Sequence, residues 1–263
     1  MINVVDRVST YPGRVKITKS DGTSEYVTWE RADQPTVEGT PINKALFDSI
    51  KADIGLSGDT TVFVSKSGSD TLGNGTSSNP YLTITKAIDS LPKNLNGKNA
   101  IINVGAGTYN ETVRFAYFTS GTVIMNGNVG AGVTITGLRV QNCSVRLDSI
   151  ALTIGSDGLG ISECGMFYTA FGNITITGAA EALTLRYGAV LEVSTSLTIN
   201  NATSRAVQVQ YGSTASIANL AGSGNGIGVY VYQSTVYLFN NLLSASTRTI
   251  NDNGALYERG ANG

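Results

Sequence analysis

Three charged side chains in the second half of the chain, Glu163, Arg186 and Glu192, are the residues by type and position that could move a proton or steady a developing charge. Glycoside hydrolysis needs two carboxyl groups about 5 to 9.5 Å apart, and lyase chemistry needs a base beside a cation or metal. The chain contains no histidine. That excludes Ser-His-Asp and Cys-His nucleophiles and histidine-based metal sites, so any general base would be a carboxylate, a lysine or a tyrosine. Glu192 has no second acid beside it, and Glu163 with Arg186 reads as a surface salt bridge. Asp157 and Glu181 fall in turns, where solvated carboxylates are ordinary. The glycines Gly73 and Gly75 form a turn and not a phosphate cradle, because no strand-to-helix element follows them directly. No catalytic residue, metal ligand or cofactor is assigned on these grounds.

A second set of residues has the chemistry of binding. Tyr187, Tyr211, Tyr230, Tyr232 and Tyr237 are interleaved with Gln208, Gln210 and Gln233. Tyrosine offers a flat apolar face and a hydroxyl, which suits a pyranose ring. The simpler reading of the same tyrosines is packing along an oligomer seam or half-buried places in turns.

The elements that must position these residues are set by a repeat of about 22 residues that begins near Leu138. Steps of 145→168, 168→191, 191→215 and 215→236 align Val145, Tyr168, Leu191, Ala215 and Val236. They also align Leu147, Ala170, Val193, Ile217 and Leu238, and then Ala151, Ile174, Leu197, Ala221 and Leu242. A repeat this short, with strand-like alternation and no helical period, predicts a β-solenoid in which each turn of chain adds one rung to continuous parallel sheets. Counterparts on successive rungs then lie about 4.8 Å apart. Function is expected on the outer faces and at the ends. Asn219 and Asn240 align at one position and predict a short amide ladder.

With 145 and 147 inward, their neighbours point out. One outward stack reads Asp148, Phe171, Ser194, Ala218 and Phe239, and the next contains Ile150 and Leu220. A lone soluble chain seldom exposes such apolar residues on one face, so Phe171, Phe239, Leu220 and Ile150 predict an interface between copies of the chain.

Residues 1–56 read as a separate unit. Strand-like segments VVDRVS, RVKITK and SEYVTW form a small β-meander anchored by Trp29, and Thr40-Pro41 opens a helix over residues 42–55. Residues 1–60 hold 16 of the 37 charged side chains, which leaves the long repeat region (residues 57–263) with little charge to solvate it. From Thr60 the order is a strand, a polar loop, a short amphipathic helix with Ile84, Ala87, Ile88 and Leu91 on one face, and then the solenoid. That helix is expected to cover the open first rung. Cys143 and Cys164 lie about one rung apart, near enough for a disulfide or present as free thiols. A net charge of −1 argues against a nucleic-acid partner, and neither a signal peptide nor an apolar run long enough for membrane insertion is present.

Two stretches carry a family resemblance. FVSKSGSDTLGNGTSSNPYLTITKAIDSLP with IINVGAGTYNETVRF resembles the opening of right-handed parallel β-helix, pectate-lyase-like domains in bacteriophage tail proteins. TYPGRVKI at 10–17 and RADQPTVEGTPINKALFDSI at 31–50 resemble the N-terminal segment of tail-fibre or baseplate-associated proteins of phages and phage-derived particles from Gram-positive bacteria. The resemblance implies an all-β chain on a virion tail, acting outside the cell as a homotrimeric tail fibre or receptor-binding protein. Residues 1–56 would attach to tail or baseplate proteins, and the β-helix would adhere to a host cell-surface polysaccharide. It does not imply an enzyme, since no cluster of aspartates with a downstream arginine is present. A tailspike-type polysaccharide depolymerase on the same scaffold is the alternative.

Overall fold

The computed structural model describes residues 56–127 and 132–259, and the backbone of two strands nearer the N-terminus. The chain divides into two units, Met1–Asp53 and Ile54–Gly263. In the first, Arg14–Thr18 and Ser24–Thr28 pair antiparallel with Arg14 opposite Thr28, the hairpin expected around Asp21-Gly22. The helix expected over 42–55 and Trp29 lie outside the described residues.

The second unit is an all-β parallel solenoid of about seven turns. Three faces run along it. The first stacks Thr60–Val64 on 100–104, 121–127, 144–148, 166–171, 190–193, 214–217, 235–238 and Ala255–Glu258. The second stacks 107–109, 132–135, 151–154, 174–177, 197–200, 219–222 and 240–243. The third stacks 112–116, 137–141, 158–162, 181–186, 205–210, 227–232 and 247–252.

Two inward columns are unbroken apolar stacks. Val123, Val145, Phe167, Leu191, Ala215 and Val236 share one register position and are all buried. The third face contributes Val113, Leu138, Leu159, Leu183, Val207 and Val229 in the same way. Identical coils bury identical positions, which is why the repeat is visible in the sequence.

All three rows differ from the sequence alignment by one residue somewhere along the stack. Phe167, not Tyr168, stands between Val145 and Leu191, and Thr169 replaces Ala170 beside Leu147 and Val193. The extra residue is absorbed by a register shift between Thr169 and Phe171. On the second face the column is Leu152, Ile174, Leu197, Leu220 and Asn241, because a shift between Val193 and Ser196 moves the frame. A slip of one turns each side chain to the opposite side of its sheet. Leu220 is therefore fully buried, and Ile150 is buried at the first corner, where a Cβ on Gly127 would stand 2.8 Å from its own. Neither points outward, which corrects the expected interface at these two positions. The amide ladder is present: Asn240 donates to the Asn219 side chain at 3.1 Å, and Asn219 to the Thr195 carbonyl at 3.2 Å.

A helix at Ile84–Asp89 lies against the first coil with Ile84, Ala87 and Ile88 buried, and Leu91 follows them into the core. Two carboxylates hold its N-terminus. Asp70 accepts from the Leu82 and Thr83 amides and the Thr83 hydroxyl. Glu111, from the GTYNE stretch, accepts from the Ile84 and Thr85 amides at 2.9 Å and the Thr85 hydroxyl at 2.6 Å. The first amides of a helix lack internal partners, so these carboxylates satisfy otherwise orphaned donors. Burial works against the charge on Asp70, but the bonds from Thr83 and Leu82 outweigh it and hold the carboxyl below its ordinary value.

Candidate functional site

The outer side of the third face carries the polar and aromatic residues that no core requirement explains. Two outward columns run along it. The first reads Arg114, Arg139, Gly160, Thr184, Gln208 and Tyr230; the second reads Gln141, Ser162, Arg186, Gln210 and Tyr232. Alternation within each strand fixes this: Leu183, Leu185, Val207 and Val209 point in, so Thr184, Arg186, Gln208 and Gln210 lie on the outer side, Gln208 covered by its neighbours and donating to Gln210.

Small residues at Gly160 and Ser162 lower the floor of this face, and a groove of about 700 Å³ opens over them. Arg114, Arg139 and Arg186 line it, with Asp157 and Glu181 at the corner where the second face turns into the third. Glycine at 160 makes room for this arrangement. A Cβ there would come within 3.1 Å of the Arg139 Cδ, so the arginine lies flat across the glycine. Arg139 is then fixed by carbonyls: its guanidinium donates to Leu138 and Gly158 at 3.0 Å and to Asp157 at 2.8 Å. Arg114 donates to the Gln141 side chain. Asp157 reaches back over Gly137, where a Cβ would meet its own at 2.5 Å, and accepts from the Thr112 hydroxyl. Glu181 uses both oxygens, one on Arg186 at 3.2 Å and one on Arg205 at 3.0 Å. Arg205 also lies 4.8 Å from the Tyr230 ring centroid, a cation–π arrangement.

Beyond the groove, the corner between the third and first faces carries an aromatic ladder. Tyr187 and Tyr211 are stacked with centroids 5.2 Å apart and planes within 6°, and Tyr232 meets Tyr211 edge-on at 5.5 Å. Tyr187 and Tyr211 have left-handed backbones, φ 58° and 55°. Asn142, Gln233 and Asn253 take left-handed values at the corners of other coils. Asparagine tolerates this conformation well, whereas a bulky side chain there is strained. Both rings are nevertheless well exposed, 57% and 43%. Strained, exposed and mutually rigid aromatic residues are placed as a binding surface would place them.

Four of the five tyrosines singled out in the sequence, Tyr187, Tyr211, Tyr230 and Tyr232, therefore share one face with Gln208 and Gln210. Tyr237 does not. It lies on the first face, stacked on Tyr257 at 5.0 Å. The expected Glu163–Arg186 pair is not formed, since Arg186 bridges Glu181 in its own strand, and Glu163 stands at the following corner with φ 54°. Glu192 lies on the first face, two coils from Arg146 with Tyr168 between them, and Arg146 pairs with Asp148 at 3.0 Å. Phe171 and Phe239 are exposed, 69% and 52%. Both thiols are free, Cys143 buried and Cys164 exposed.

The groove residues Arg114, Arg139, Asp157 and Glu181 carried no signal of their own in the sequence. Gly137 and Gly160, one coil from Asp157 and Arg139 respectively, were the only local hint, because they remove the side chains over which those residues lie. Among the described residues no group of three or more histidines, cysteines and acids is placed to hold a metal ion. Comparison with known proteins finds no matching family model, no matching curated protein and no matching solved structure.

Proposed function

We propose that this chain is a tail-fibre or receptor-binding protein of a bacteriophage or phage-derived particle, and that its solenoid adheres to a host cell-surface polysaccharide. The observation that carries the reading is the third face, where an exposed tyrosine ladder and a groove lined by arginines lie side by side on a rigid stack. Aromatic faces with amide and guanidinium donors suit a sugar chain, which presents apolar ring faces and hydroxyls together. A solenoid lays such contacts in a row, which fits an extended polymer better than a compact ligand.

The rest of the proposal rests on the sequence resemblance. Residues 1–56 attach to tail or baseplate proteins, the solenoid winds as a right-handed β-helix with the helix Ile84–Asp89 as its cap, and three chains associate with Phe171 and Phe239 at the seam. The exposure of both phenylalanines supports the last point.

The experiment is adhesion of fluorescently labelled full-length chain to a panel of Gram-positive cells, with and without purified envelope polysaccharide as competitor. Saturable binding that the polysaccharide displaces is the expected result, and absence of binding across the panel overturns the reading. A depolymerase is the second reading, favoured by Asp157 and Glu181, which stand two residues before the register partners Leu159 and Leu183 and so on successive coils. Both oxygens of Glu181 are engaged by arginines. Release of reducing ends from the bound polysaccharide would establish the enzyme in place of the adhesin.

A further inference from the structure

We propose that the groove on the third face selects a polysaccharide bearing repeated anionic groups, held by Arg114, Arg139 and Arg186. This rests on the adhesion reading for the polymer and on the groove alone for its charge.

After Lys98 the chain has no lysine; its seven remaining positive side chains are all arginines. Four of them, Arg114, Arg139, Arg186 and Arg205, lie on the third face around the groove, against two carboxylates, Asp157 and Glu181. The face thus carries two uncompensated positive charges in a chain whose net charge is −1. Arginine presents a planar fork of donors that matches carboxylate or phosphate oxygens in pairs, which a lysine point charge does not.

The pairing pattern shows which charges are available. Both oxygens of Glu181 go to Arg186 and Arg205, so these three side chains together keep one net positive charge, and the hydrogen bond to Asp157 comes from a threonine. Arg114 and Arg139 have neutral partners only among the described residues: a side-chain amide for Arg114, and three backbone carbonyls for Arg139. Neutral acceptors orient a guanidinium without cancelling its charge. Arg139 is accordingly locked in place over Gly160 with its charge intact, a preorganised arrangement that an incoming anion can use without first breaking an ion pair.

The spacing suits a polymer. Arg114 and Arg139 are register partners on adjacent coils, about 4.8 Å apart along the axis. Arg186 lies two coils beyond Arg139, about 10 Å, with only Gly160 and Ser162 on the floor between. Charges set at intervals along an open trough fit a chain with an acid on successive residues. A single small anion would need them converged on one point.

The test is affinity of the full-length protein for three defined polymers, measured calorimetrically at low and at physiological salt. Polyglucuronate and cello-oligosaccharides share a backbone and differ in carboxylate against hydroxymethyl, and poly(glycerol phosphate) supplies the anion without the sugar ring. The expected result is binding of polyglucuronate at least tenfold tighter than of cello-oligosaccharides, weakening with salt. It is also a loss of at least tenfold in Arg114→Gln and Arg186→Gln, each checked for an unchanged thermal midpoint. Retention of poly(glycerol phosphate) as well would identify phosphate polymers as a second source of the same chemistry. Equal binding of the two glucans, or full affinity in both variants, overturns the inference. Envelope adhesion by the unaltered protein would stand independently of that outcome. Should the variants destabilise the fold, Thr184→Glu places a negative charge beside the groove without removing any arginine, and unchanged polyglucuronate binding in it counts against the proposal equally.

Discussion

Tyr187 and Tyr211 stack face to face from adjacent coils, and each holds a backbone conformation that a tyrosine adopts only under strain. The stack and the strain oppose each other energetically, so the pair contributes little to folding. On the proposed adhesion reading, its exposure leaves both rings open to a polysaccharide. Tyr187→Asn should therefore leave stability within about 1 kcal/mol of the parent, since asparagine relieves the strained corner while the lost stack is worth about as much. Polysaccharide affinity should fall roughly tenfold. Denaturant melts and cell-binding isotherms on the same preparation check both.

The inward column through Phe167 sets a second expectation. Phe167 is fully buried between Val145 and Leu191, and its truncation to alanine should cost about 3–5 kcal/mol. Tyr168 is outward, and Tyr168→Ala should cost about 1 kcal/mol or less. Urea denaturation of the two variants tests the register directly: if Tyr168 filled the core, their order would reverse.

The helix beside the first coil should respond to acid. The folded Asp70 carboxyl ionises below its ordinary value of 3.8. Its contribution is therefore complete above that value and is lost as pH falls through the lower, folded one. Asp70→Ala should be less stable than the parent near neutrality, and the gap should narrow as pH falls below the ordinary carboxyl value. Glu111→Ala, which strips two amides of their acceptor, should cost about 2 kcal/mol near neutrality. Denaturant midpoints across the pH range measure both.

Phe171 and Phe239 test assembly. Sedimentation should give a mass near three times 27.5 kDa, and the double variant Phe171→Ser, Phe239→Ser should shift it toward the single chain. A parent that sediments as a stable monomer would leave the two side chains without a seam.

The solenoid was legible in the sequence because every coil repeats one physical demand, the burial of the same positions. Its phase was less so. Phe167 and Tyr168 are adjacent, both large and aromatic, and the choice between them depends on a bulge at Thr169–Phe171 that leaves no compositional trace. The error carried further on the second face, where it turned Ile150 and Leu220 outward in expectation although both are core. The tyrosines were recognisable as a set because aromatic residues are few. Their division between two faces followed from the register. The groove was not legible: Asp157 and Glu181 are ordinary turn acids in one dimension, and the contacts of the Asp157 carbonyl with Arg139 and of Glu181 with Arg205 exist only when coils are stacked. Arg186 took its partner from five residues away in its own strand, Glu181, where coil-to-coil alignment had suggested Glu163.

The left-handed corner passes in turn through Asn142, Glu163, Tyr187, Tyr211, Gln233 and Asn253, while the buried columns behind it stay almost wholly apolar. Exposed chemistry is thereby written one letter per coil, on a frame that does not register the change. On the adhesion reading, a single substitution at one of these corners would alter what the surface holds while the shape beneath it persists.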